Sequence, residues 1–182
     1  MFTPEQLQNL AHKCGASINS SSIMMPPTRE QAKNDRPGDV ITITSIDEAY
    51  KKLLNWSELC SLRHEIKKSE IEQFVRNKLA TSDAWAKKAL TTIMARQTVE
   101  ERRAERTVYH NNVGFTGHDS PLMSSFAKQL ETRKWLSKRQ IQVLKKTIKK
   151  YWKQIVDASD ELALLRMIKN TRDAQQMSLN LE

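Results

Sequence analysis

Five times along this chain a serine or threonine is followed three residues later by glutamate or glutamine. The pairs are Thr3 with Gln6, Ser45 with Glu48, Ser69 with Glu72, Thr98 with Glu101 and Ser137 with Gln140. In such a pair the hydroxyl accepts from a backbone N–H of the first turn, and the acid or amide reaches back to the N–H of the cap. Two of the orphan donors at a helix start are satisfied this way. A chain that repeats the device commits itself to helices. Pro4 reinforces the first start, and Gly15 can stop that helix after Leu7, Leu10 and Cys14. From Ser45 onward the apolar period is helical: Ile46, Tyr50, Leu53 and Leu54, then Leu59, Leu62 and Ile66, then Ile71, Phe74, Val75 and Leu79. Further helices are predicted over about 83–97, over 121–132 behind the cap Ser120 and Pro121, over 138–156 and over 160–170.

The expected fold class is therefore mainly α. A single helical-bundle domain is expected over 45–170, with an amphipathic helix at 1–15, a flexible N-terminal linker at 16–44 and a disordered C-terminal tail at 171–182. The linker contains three consecutive serines (20–22), Pro26-Pro27 and Arg36-Pro37-Gly38, too few periodic apolar residues for a helix. Its end, Val40-Ile41-Thr42-Ile43-Thr44, is β-branched but has no evident partner strand and is read as extended. Residues 98–106 read as a short charged helix, and 107–119 as a structured loop with paired asparagines and two glycines.

With 182 residues, 38% of them hydrophobic, the chain can bury one modest core. Only four glycines are present, and no dinucleotide fingerprint or phosphate loop is among their neighbours. Cys14 and Cys60 lack the spacing of a zinc site or a disulfide framework, and no cofactor or metal is expected. No stretch reaches the roughly 18 apolar residues of a membrane span, and the polar start is no secretory signal. The sequence thus predicts a soluble cytoplasmic protein.

The net charge of +9 has one source. Residues 132–156 hold Arg133, Lys134, Lys138, Arg139, Lys145, Lys146, Lys149, Lys150 and Lys153 and no acid, leaving 21 basic against 21 acidic residues in the other 157. On a helical wheel Ile141, Leu144, Ile148, Trp152 and Ile155 form an apolar stripe, with the lysines beside and behind it. A surface helix built for solubility mixes signs; this one accepts self-repulsion, which suits a polyphosphate whose condensed counterions are released on binding. Those nine cations are the candidate nucleic-acid contacts, with DNA favoured over RNA. Gln142 and Gln154 are candidate hydrogen-bonding partners. Trp135 and Tyr151 are the candidate base-stacking platforms, whereas Trp152 belongs to the core stripe.

Near the C-terminus, residues 176–181 read Q-M-S-L-N-L. This resembles the six-residue Q-L-x-L-x-L peptide that binds the bacterial sliding clamp, with Met177 in place of the usual first Leu. The resemblance implies that Gln176 bonds at the pocket rim and that Met177, Leu179 and Leu181 fill apolar subsites, with the clamp as partner. A second resemblance spans about 84–155 and is carried by the Asn112, Gly114, Phe115 and Asp119 loop and by the L-S-K-R-Q box at 136–140. It is similar to a helical module of phage and helicase-associated bacterial proteins, and implies a nucleic-acid-processing setting without a catalytic assignment.

The expected function is that of a non-enzymatic DNA-binding accessory of replication, recombination or repair, of a kind phages encode, recruited to the clamp through its tail. A protein-binding adaptor or inhibitor that grips an acidic partner with the basic helix is the competing expectation. A metal-dependent nuclease using His110, His118 and Asp119 is the third, but this loop supplies few convergent ligands, and turn-forming duties explain the same residues.

Overall fold

The computed structural model describes residues 3–19, 22–26, 38–42, 45–97 and 113–179. The fold is mainly α, and the chain divides into two compact units, residues 1–65 and 66–182. The helix over 46–65 thus groups with the N-terminal helix, where the sequence had placed it at the head of the bundle.

In the first unit α1 (Pro4–Lys13) carries the expected box: Gln6 N–H donates to Thr3 Oγ1 at 3.2 Å, and Thr3 N–H to Gln6 Oε1 at 2.9 Å. Three short strands follow, β1 (Ser17–Ile18), β2 (Ser22–Met24) and β3 (Val40–Thr42), antiparallel in the order β1-β2-β3. The run at Val40 does have a partner. Ile23 stands opposite both Ile18 and Ile41 and is fully buried, so one apolar residue in a three-residue strand fixes the pairing. Strands this short fall below any periodicity test, which is why the region read as a linker; residues 27–37 lie outside the described residues. Gly38 is required here, since a Cβ on it would come within 1.7 Å of the Met25 carbonyl oxygen. The helix α2 (Ile46–Glu65) closes the unit by packing Ala49 and Leu53 against Leu7, Ala11, Ile23 and Met25. Cys14 and Cys60 are free thiols.

The second unit is a helical bundle. Its helices are α3 (Lys68–Thr81), α4 (Asp83–Arg96), α5 (Ser120–Arg133), α6 (Lys138–Ile148), α7 (Trp152–Asp157) and α8 (Glu161–Leu179). The helix α4 is central, packing on α3, α5, α6 and α7, and buries Ala86, Ala89, Leu90 and Ile93. Ser82 alone separates α3 from α4, in an extended conformation with its hydroxyl accepting from Trp85 N–H at 3.3 Å. Ser69 does not cap α3 as its box suggested: the helix starts two residues earlier, behind Lys67, without a side-chain cap. Likewise α5 begins at Ser120 with Asp119 ahead of it. The Thr98 box and the predicted charged helix at 98–106 lie outside the described residues.

The expected helix over 138–156 is interrupted. A 3-10 turn at Lys149–Tyr151 joins α6 to α7, so the segment is two helices with a tighter turn between them. The expected disordered tail is corrected too: α8 runs on to Leu179, although its buried residues Leu164, Leu165 and Ile168 all lie in its first half. Among the described residues no helix is long and apolar enough to cross a membrane.

Candidate nucleic-acid interface

The apolar stripe of the basic segment docks as its spacing requires. Ile141, Leu144, Ile148, Trp152 and Ile155 are all buried. Lys138, Arg139, Gln142, Val143, Lys146, Lys149, Lys150 and Lys153 are exposed, so a cationic face runs the length of α6 and through the 3-10 turn to α7. At its head the turn between α5 and α6 adds Arg133, Lys134 and Trp135, all exposed.

The segment is acid-free along the chain but not in space. Lys145 is only 21% exposed; its ammonium pairs with the Asp83 carboxylate and donates to the Thr81 carbonyl at 2.8 Å, at the C-terminal end of α3. That end carries partial negative charge, which favours a cation there. Lys150 pairs with the buried Asp119 carboxylate. Two of the nine candidate cations therefore have protein partners. Arg133, Lys134, Lys138, Arg139, Lys146, Lys149 and Lys153 have no carboxylate partner among the described residues. The ammonium of Lys153 sits 5.8 Å from the centre of the Trp152 ring, and the Arg76 guanidinium 6.0 Å from it.

Tyr151 is not a stacking platform. It is 5% exposed, its hydroxyl donates to Asp119 Oδ2, and it accepts from Thr116 N–H at 3.0 Å. Phe115 meets its ring edge-on at 5.6 Å, and Asp119 also accepts from Thr116 Oγ1 at 3.1 Å. Burial pushes the Asp119 carboxyl up, but hydrogen bonds from Lys150, Tyr151 and Thr116, with the Lys150 charge, outweigh it and hold the pKa below the ordinary carboxylate value. Burial, then the hydrogen bond to Asp119, pushes the Tyr151 hydroxyl up to about 12.

The loop 113–119 is thus the clasp of the basic segment. Gln154 is committed to it: its amide accepts from Gly114 N–H at 2.9 Å and donates to the Gly114 carbonyl at 3.0 Å. It is therefore not available as a nucleic-acid contact. On the other side the Arg96 guanidinium donates to the Gln154 carbonyl at 2.6 Å. Gly114 has φ +84, and a Cβ on it would lie 2.5 Å from Gln97 Cγ, a side chain that is itself buried. Sequence reasoning preferred structural duties for this loop over a nuclease, and Phe115 is indeed buried with Asp119 just ahead of a helix; what it missed are the partners, Tyr151, Lys150 and Gln154. The signal that pointed to the structural task was the Gly114, Phe115 and Asp119 pattern. His118 is exposed, His110, Asn111 and Asn112 lie outside the described residues, and no cluster of metal-ligating side chains occurs among the described residues.

Trp135 stays open, 53% exposed, as the stacking reading requires. Of the clamp-peptide residues, Gln176 is exposed, Met177 and Leu179 are 71% and 72% exposed, and Leu181 lies outside the described residues. The first three are on the last turns of α8, where residues two apart point some 200° apart, whereas in an extended strand they share a side. Met177 and Leu179 therefore cannot enter one groove together in this conformation. No family model, curated protein or solved structure matches the chain.

Proposed function

We propose that this protein is a non-enzymatic DNA-binding accessory of replication, recombination or repair, held at the sliding clamp by its C-terminal peptide. The observation that carries the reading is the exposed face of Lys138, Arg139, Lys146, Lys149 and Lys153, with Gln142 and Val143 among them and the apolar stripe buried behind. Such a face offers a row of point charges along two consecutive helices and the 3-10 turn between them, with no acid within the row. It supports sequence-independent binding along a phosphate backbone, whose strength falls with the logarithm of salt.

The tail acts through bivalency: a weak clamp contact and a weak phosphate contact reinforce each other by effective concentration. The last turns of α8 unwind from Gln176 onward so that Met177, Leu179 and Leu181 share one side. The cost is small, because the described residues of this stretch, 176–179, are all exposed and helix ends are only marginally stable. Removing Gln176 to Glu182 abolishes capture by the clamp and leaves DNA affinity intact; undiminished capture would overturn the tail assignment.

The main test is binding of labelled single- and double-stranded DNA over a salt series, with and without Mg2+. Retention at low salt that falls steeply as salt rises is expected, and should weaken sharply when Lys146 and Lys149 are changed to Glu. Absence of retention would replace this reading with an adaptor whose cationic face meets an acidic protein. Mg2+-dependent cleavage lost in His118→Ala would replace it with a nuclease.

A further inference from the structure

The α5–α6 turn combines three properties that occur together nowhere else on the described basic face. First, it presents a large aromatic to solvent: Trp135 is 53% exposed, and among the described residues no ring or cation is stacked on it. Second, four exposed cations surround it in sequence, Arg133, Lys134, Lys138 and Arg139, with Glu131 the one acid within four residues. Third, its backbone is held from several sides. Lys134 takes the left-handed conformation, φ 64, and its N–H closes on the Leu130 carbonyl at 3.0 Å. The Trp135 carbonyl accepts from the Gln129 amide at 3.4 Å, Gln129 and Gln140 exchange side-chain amide hydrogen bonds at 3.1 and 2.7 Å, and Ser137 and Gln140 form a complete capping box. Leu136, 7% exposed, anchors the turn in the core.

An indole held half in water on a rigid turn leaves apolar surface exposed. A base laid on it recovers that exposure and meets phosphate-binding cations on either side. Only an unpaired base has a free face, because in a duplex both faces are already stacked except at the ends. The turn is already ordered, so little conformational entropy is lost on binding.

We infer that Trp135 is a base-stacking platform that makes this protein select single-stranded over double-stranded nucleic acid. The inference rests on the nucleic-acid-binding reading above and adds the strand class. The α6 and α7 cations supply affinity common to both strand forms; Trp135 supplies the difference. The chemistry recognised is a base next to its phosphates, which single-stranded DNA and RNA share.

The test uses the full chain and fluorescence anisotropy with four labelled probes. These are an oligothymidylate and an oligouridylate of about 15 nucleotides, the upper range of single-strand sites, a duplex of matched length, and an abasic strand carrying phosphates without bases. Trp135→Ala is expected to weaken the thymidylate or uridylate by about tenfold, the lower part of the range for loss of one stacked base, and to leave duplex and abasic strand within about twofold. Trp135→Phe should recover most of that loss, and the slope of affinity on salt should not move, since no phosphate contact is removed. Loss on only one of the two base-bearing strands supports the inference and restricts it to that strand's nucleotide, thymidine or uridine. Equal loss on all four probes, or none on either base-bearing strand, overturns the inference while leaving nucleic-acid binding standing. If the unaltered protein retains none of the four, the nucleic-acid-binding reading itself fails.

Discussion

At the α5–α6 turn Arg133 and Lys134 precede an aromatic, Trp135; at the α6–α7 junction Lys149 and Lys150 precede another, Tyr151. In sequence the two sites are near copies. In the fold Trp135 is 53% exposed with its ring open, while Tyr151 is 5% exposed with Thr116, Asp119 and Phe115 on it and Lys150 drawn to the same carboxylate. What separates them is not their own neighbours but a loop more than thirty residues away in the chain, which reaches one site and not the other. An aromatic between cations is thus available for stacking only where no acid elsewhere in the chain has claimed the pair. The claimed site gives the fold its clasp, and the unclaimed one keeps its surface.

The comparison breaks first at Asp119. Its carboxylate is 7% exposed and holds Lys150, Tyr151 and Thr116 together. Asp119→Ala removes the charged acceptor of the buried Tyr151 hydroxyl and of Thr116, while the half-exposed Lys150 ammonium can turn to water, and should lower unfolding stability by about 3 kcal/mol, read from urea denaturation. A change under about 1 kcal/mol would mean that the clasp is incidental and that Tyr151 is held by packing alone.

Gly114→Ala is the next largest. The added Cβ meets Gln97 Cγ at 2.5 Å on a residue whose φ is +84, so both contact and backbone are strained. A loss of about 2 kcal/mol is expected from the same measurement. The mutation should also loosen the reciprocal bonds from Gln154, visible as faster amide exchange around the α6–α7 junction.

Much of this was written in local sequence and some was not. The boxes at Thr3 and Ser137 form as read, because a capping box is closed within four consecutive residues and needs no help from the rest of the chain. The apolar stripe from Ile141 to Ile155 is buried for a similar reason: its spacing is local to one short segment, and the 3-10 turn within it leaves all five stripe residues on the buried side. Ser69 fails because a box permits a start without enforcing it, and here the helix gains two positions by beginning at Lys68. The strand at Val40 needed a partner whose signal is one buried isoleucine, Ile23. Tyr151 needed Asp119, Lys145 needed Asp83, and Gln154 needed Gly114, and none of these long-range pairings leaves a mark in the spacing of residues. At the other end of the chain, helical spacing of Leu162, Leu165 and Ile168 marked the packed half of α8, but no continued apolar stripe marked its extension to Leu179.

Tyr151→Phe gives a smaller effect and a pH signature. The ring contact with Phe115 is kept and one hydroxyl is lost, which should cost about 1 kcal/mol at neutral pH. The folded-state pKa is raised from 10.0 to about 12, so the hydroxyl stabilises the fold fully below pH 10 and the contribution disappears as pH rises through about 12. Unaltered protein should therefore lose stability between pH 10 and about 12 in a step that Tyr151→Phe lacks. Asp119 works in the opposite window: its pKa is lowered, so its contribution is present above the ordinary carboxylate value and is lost as acid takes the pH below it.

The smallest effect separates lysines that sequence cannot distinguish. Lys145 and Lys146 are adjacent, yet the first is 21% exposed and bound to Asp83 and Thr81, and the second is exposed without a carboxylate among the described residues. Lys145→Gln should cost at most about 1 kcal/mol of stability, since Asp83 is 58% exposed and water can replace its partner. On DNA the order reverses. A cation that contacts phosphate contributes about 0.9 to the slope of log affinity on log salt for a duplex and about 0.7 for a single strand. Lys146→Gln should therefore flatten the slope by nearly one, and Lys145→Gln should leave it in place. If both flatten it equally, the Asp83 pair opens when nucleic acid arrives, and Lys145 counts with the exposed cations after all. If neither does, the contact runs along the Lys149 and Lys153 end of the face, and the same pair of measurements repeated there locates it.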